Sequence, residues 1–121
     1  MEKNEKLRSK KLMDLLFREG ISRRRGCLRL TYLAIIRGSD VPVQIMFSVS
    51  KKQFHRAVDR NLLKRRMREA YKLNKQRYNN KIQIGNKSLL MAFIYADKAI
   101  KDYARIESDM QYLIKEIQET L

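Results

Sequence analysis

Apolar positions along the chain keep two different rhythms, and the places where each holds predict the elements. Leu12, Leu16 and Phe17 recur at helical spacing in SKKLMDLLFREG and stop at Gly20, which predicts a short first helix. The following ISRRRG has no periodic apolar face and reads as a turn region. CLRLTYLAII then alternates, with Leu28, Leu30, Tyr32, Ala34 and Ile36 on one face of a strand that GSDVP breaks. VQIMFSVS alternates more cleanly through Val43, Ile45, Phe47 and Val49, and the short connection predicts a hairpin between these two strands.

After the loop KKQFHR, a long helix is expected from about Ala57 to Gln76. The polar NNKIQIGNKS separates it from LLMAFIY, which is apolar on both faces, as a central strand covered on both sides must be. At the end of the chain, Ile106, Met110, Leu113, Ile114, Ile117 and Leu121 form the stripe of an amphipathic helix capped by Asp102. That stripe suits packing on the sheet better than a partner groove. Residues 1–8 are charged and expected to fray. The order helix, strand, strand, helix, strand, helix predicts one α+β domain over 1–121, a two-layer sandwich of a small mixed sheet packed with helices. Parallel strands flanking the long helix would ordinarily be joined by a right-handed crossover.

Charge changes this picture from a generic domain to one with a polyanionic partner. The 28 Lys and Arg outnumber 13 Asp and Glu, for a net charge of +15. The excess is local: residues 51–77 hold 11 basic and 2 acidic side chains (+9), whereas 97–121 hold 4 and 6 (−2). On a helical wheel, Lys64, Arg65, Arg68, Lys72 and Lys75 fall within about 60° of Asn61, while Leu62, Leu63, Met67, Ala70 and Leu73 take the opposite arc. A merely solvated face is the bland alternative, but such faces usually mix signs at i and i+4, and this stripe contains no acid. Neutralising about five phosphates would give a log K against log salt slope of roughly −3.5 to −4.5.

Protein-borne catalysis is not indicated. Asp59 and Glu69 lie some 15 Å apart along the helix, too far to share a metal ion, and Asp97, Asp102, Glu107 and Asp109 sit at the acidic end of the chain, away from the basic face. His55 is the only histidine and Cys27 the only cysteine, which leaves neither a disulfide nor a multi-cysteine metal site. With no run approaching the roughly 18 apolar residues of a membrane span, a cytoplasmic protein without a membrane partner is expected.

FSVSKKQFHRAVDRNLLKRRMREAYKLNK, residues 47–75, resembles the signature of the bacterial ribonuclease P protein subunit. Ser48 to Lys52 supply its SVSKK part, and Ala57, Val58, Arg60, Asn61, Lys64, Arg65, Arg68, Glu69 and Ala70 the spaced A-V-x-R-N-x-x-K-R-x-x-R-E-A part. More weakly, Lys10, Lys11, Phe17, Gly20, LLMAFIY and the closing helix also resemble the family. The resemblance implies a non-catalytic protein partner of a ribozyme, in which the RNA subunit and its Mg²⁺ remove the 5′ leader of precursor tRNA, with no obligate protein partner. It also implies a left-handed βαβ crossover. By the same resemblance, Lys51, Lys52, Arg60, Asn61, Lys64, Arg65, Arg68 and Lys72 contact the RNA subunit. Met13, Phe17 and Tyr32 would line the cleft for the single-stranded leader, where aromatic faces stack on unpaired bases; ordinary core packing is the alternative for Phe17 and Tyr32. This chain departs from the family at Met13, commonly an aromatic, and at Gln53 to Arg56, which stands in place of a Gly-Asn loop. A non-enzymatic RNA-binding protein, such as a ribosomal protein or RNA chaperone, shares the charge stripe and is the alternative reading.

Overall fold

A computed structural model describes residues 5–36, 43–79 and 87–120. Helix α1 (Lys10–Glu19) begins where the Ser9 hydroxyl accepts the Leu12 N–H at 3.2 Å. It ends where Gly20 donates its N–H to the Leu16 carbonyl at 2.7 Å. A side chain at Gly20 would put its Cβ 2.3 Å from that same oxygen, so close backbone approach requires the glycine.

The predicted turn region is a strand, β1 (Ile21–Arg25), antiparallel to β2 (Leu28–Ile36). All five of its residues are exposed, which is why no apolar alternation announced it. The decisive signal is Gly26, at φ +57, with Cys27 completing a two-residue turn; glycine at the first loop position suits the twist of a tight hairpin. The element order is therefore α1-β1-β2-β3-α2-β4-α3, with β3 at Val43–Ser48, α2 at Ala57–Asn79, β4 at Lys87–Tyr95 and α3 at Tyr103–Thr120.

The expected hairpin between the two alternating strands does not form. The sheet order is β1-β2-β4-β3, so β4 lies between β2, antiparallel to it, and β3, parallel to it. β4 takes an interior place because it is apolar on both faces, with Leu89 through Phe93 at 0–1% exposure. The segment GSDVP and most of NNKIQIGNKS lie outside the described residues.

Helices cover both faces of the sheet. Leu28, Leu30, Ile45, Met91 and Phe93 point to the side of α2 and α3, where Leu63, Met67, Ile106, Met110 and Leu113 complete the larger core. Leu90 and Ala92 point the other way, to Leu16 of α1 and to Leu7, with Leu33, Ile35 and Met46 beside them. Leu7 is 4% exposed and its N–H is bonded to the Ile45 carbonyl, so the expectation of a frayed 1–8 does not hold for residues 5–8. Residues 1–4 lie outside the described part.

The closing helix follows its apolar stripe. Ile106, Met110, Leu113, Ile114 and Ile117 are buried, and Asp102 caps the helix by accepting the Arg105 N–H at 3.0 Å; Leu121 lies outside the described residues. Among the described residues no helix is long and apolar enough to cross a membrane.

Candidate nucleic-acid interface

Helix α2 separates its two faces sharply. Leu63, Met67 and Ala70 have no exposure, and Tyr71 and Asn74 extend the buried face toward α3. Asn74 donates to the Ala70 carbonyl and accepts from Gln111 of α3 at 3.0 Å, tying the helices together through a satisfied buried amide. Leu73, expected on this face, is 75% exposed. At about 60° from Ala70 and 120° from Met67 around the helix, it lies beyond the edge of the packed arc.

The outer face carries Asn61, Arg65, Arg68 and Lys72, all exposed, with Lys64 half-buried at its margin. Among the described residues, no carboxylate forms an ion pair with these four cations. Lys75, predicted on the same stripe, lies outside the described side chains. Burial of the opposite face offsets the mutual repulsion of the cations, a few tenths of a kcal/mol per neighbouring like pair. Asn61, Arg65 and Arg68 also line an open depression with Val58 and Leu62, so apolar surface lies directly beside the charge.

Two other arginines of α2 serve the fold. Arg60, predicted to contact RNA, directs Nη1 at the Phe54 and His55 carbonyls, both at 2.8 Å. Arg66 donates to the Lys101 carbonyl at 2.7 Å. Charge-assisted bonds of this kind fix the loops at both sides of the helix.

The loop before α2 shows how this chain manages without the Gly-Asn pair. The Ser50 carbonyl accepts the Phe54 N–H at 3.0 Å and its hydroxyl accepts the Lys52 N–H at 3.1 Å, forming a turn that leaves Lys51 and Lys52 exposed. Phe54 is then buried, edge-on to Tyr95 with ring centroids 5.7 Å apart. The Tyr95 hydroxyl donates to the Ala99 carbonyl at 2.6 Å and accepts the Lys101 N–H at 2.9 Å. A hydrophobic plug thus holds the entry to the helix, and His55 and Arg56 remain exposed.

The predicted stacking residues do not share one cleft. Phe17 is 49% exposed on α1, and Met13 is half-buried against the smaller core. Tyr32 is 5% exposed and belongs to the core on the opposite face of the sheet, with Leu28 and Leu30. Strand alternation forces this: Leu33 and Ile35 face the α1 side, so Tyr32 cannot. The residues on that side include Thr31, whose hydroxyl is 2.9 Å from that of Ser22, and the exposed Arg29, paired across the strands with Arg24. Two like charges in register oppose the pairing; Arg24 answers in part by donating to the Ala96 carbonyl at 3.0 Å. The only sequence signal for this pair was the basic run that reads as a turn.

Two of the acidic residues, Asp97 and Asp109, are engaged by their own neighbours. Asp109, 3% exposed, accepts from the Cys27 N–H at 2.9 Å, the Cys27 thiol at 3.2 Å and Arg105 Nε at 3.2 Å. Burial and this carboxylate push the thiol up to about 12. Asp97 accepts the Ala99 N–H, which lowers its carboxyl below the ordinary value. Among the described residues, no group of three His, Cys, Asp or Glu converges as metal ligands would.

Comparisons with known proteins converge on one family. The sequence pattern described as Ribonuclease P matches residues 1–118. The ribonuclease P protein component of Chlorobaculum tepidum is 32% identical over 126 residues, covering 97% of this chain and 82% of that protein. Among solved structures, the RNase P protein of Thermotoga maritima superposes with a TM-score of 0.71 at 25% identity, covering 93% of this chain and 96% of that one. The RNase P protein of Staphylococcus aureus, 19% identical, shares the fold with a TM-score of 0.72 over 93% of this chain and 94% of its own.

Proposed function

We propose, since this chain belongs to the ribonuclease P protein family, that it grips the RNA subunit of that endoribonuclease through the outer face of α2. One observation carries the reading: Asn61, Lys64, Arg65, Arg68 and Lys72 lie side by side on a helix whose other face is locked into the core. Cations arranged in this way track a phosphate backbone. Lys51 and Lys52 add charge from the preceding turn, and Arg60 shapes that turn. The family assignment favours this reading over a ribosomal protein or RNA chaperone.

Cleavage of precursor tRNA is assigned to the RNA subunit and the Mg²⁺ it holds, with this chain supporting the RNA and the substrate in the cytoplasm. The carboxylates described above accept bonds from their own neighbours, in keeping with that division. Phe17, with Met13 behind it, offers the leader an aromatic face; Tyr32 is reassigned to the core. Reconstitution with the cognate RNA on precursor tRNA tests the proposal. Added protein should raise cleavage at modest Mg²⁺, and no gain would overturn it.

A further inference from the structure

The N-terminal segment builds a second wall beside the basic helix. Leu7 donates its N–H to the Ile45 carbonyl at 2.9 Å, and Lys6 pairs with Ile45 in a parallel bridge, so this segment lies along the outer edge of β3. Successive residues of an extended chain point to opposite sides. Leu7 enters the smaller core with Leu16, Leu90 and Ala92, on the α1 side of the sheet. Lys6 and Arg8 are thereby turned to the α2 side, where they line one groove with Lys64 and Arg68, beside Ile45 and Phe47. Four cations face this groove, no acidic residue lines it, and among the described residues none of the four has an ion-pair partner. The burial of Leu7 holds the segment in place against their repulsion, and a bound polyanion would relieve it.

We propose that this groove binds RNA phosphodiester backbone, with Lys6 and Arg8 on one wall and Lys64 and Arg68 on the other clamping successive phosphates. The inference rests on reading α2 as an RNA-binding face, and adds two contacts whose placement depends on Leu7. Docking of the segment and binding of RNA then strengthen each other, as linked equilibria must.

The test uses the full chain and a Lys6→Ala, Arg8→Ala double variant, which leaves Leu7 and the core untouched. Binding is measured against salt with two probes, the ribonuclease P RNA alone and a short single-stranded oligoribonucleotide standing for the leader. The variant should show a log K against log salt slope shallower by about 1.4 to 1.8, and affinity lower on the order of 10- to 50-fold near 0.1 M salt. Loss with the first probe assigns the backbone to the RNA subunit, and loss with the second assigns it to the leader; either supports the groove. In the parent protein, exchange of the Leu7 amide should slow when that probe binds. An unchanged slope with both probes, while Arg65→Ala still weakens binding, overturns the groove alone. If Arg65→Ala also has no effect, the reading of α2 as the RNA grip fails with it.

Discussion

Arg60 directs its guanidinium at the carbonyl of Phe54, 2.8 Å away and six residues earlier, and so joins the basic helix to the loop that precedes it. The same nitrogen reaches the His55 carbonyl at 2.8 Å. Arg60→Ala should therefore lower unfolding stability by about 1–3 kcal/mol, because a carbonyl beside a buried phenylalanine loses its donor. Arg65→Ala, on the exposed face, should leave stability within about 0.5 kcal/mol and weaken RNA binding. Denaturant melts paired with RNA titrations separate the two. Equal stability of both variants would contradict the structural role of Arg60.

The aromatic pair expected to act together should behave oppositely. Tyr32→Ala removes a buried ring from the larger core and should cost about 3–5 kcal/mol. Phe17→Ala should barely change stability, yet weaken binding of leader-bearing tRNA by about 1–3 kcal/mol relative to mature tRNA if Phe17 stacks on an unpaired base. Equal losses on precursor and mature tRNA would remove Phe17 from the leader path.

Asp109 predicts an alkaline limit as well as a mechanical one. Truncation to Ala would leave the Cys27 N–H without its acceptor in the core, at about 1–3 kcal/mol in a denaturant melt.

The Cys27 thiol is raised from 9.0 to about 12, and Tyr95 and Tyr103 are raised from 10.0 to about 12, with burial the first cause in each case. Above pH 9 the unfolded chain gives up protons that the folded chain keeps, so stability must fall as pH rises from about 9 to 12. In Cys27→Ala the fall should begin nearer pH 10, where the tyrosines alone contribute. Urea midpoints measured across this range provide the check, and an onset unmoved by the substitution would contradict the thiol's part in it.

Much of the fold and interface was legible in local rhythm. The period of two placed β2 and β3, and the period near 3.6 placed α1, α2 and α3, because those repeats are imposed by backbone geometry and survive in any packing arrangement. The cationic face of α2 could be read from Asn61 to Lys72 for the same reason: residues three and four apart share a helix face wherever the helix lies. LLMAFIY announced its central position by being apolar on both sides.

Other features depended on which elements meet, and spacing along the chain carries no record of that. β1 has no buried face, so only its pairing with β2 through Gly26 makes it a strand. The place of β4 between β2 and β3 follows from covering both of its faces, a condition of the assembled layers. Tyr32 and Phe17 are both aromatic residues near the first turn, but the side of the sheet chosen by α1 separates them. Arg60 and Arg65 have the same chemistry and lie five residues apart; one is drawn to loop carbonyls and the other is left to solvent. Sequence alone determined that this protein would present a stripe of cations on an amphipathic helix. Tertiary structure decided which of the α2 cations stay available, because each guanidinium takes the nearest unsatisfied oxygen that packing brings within reach.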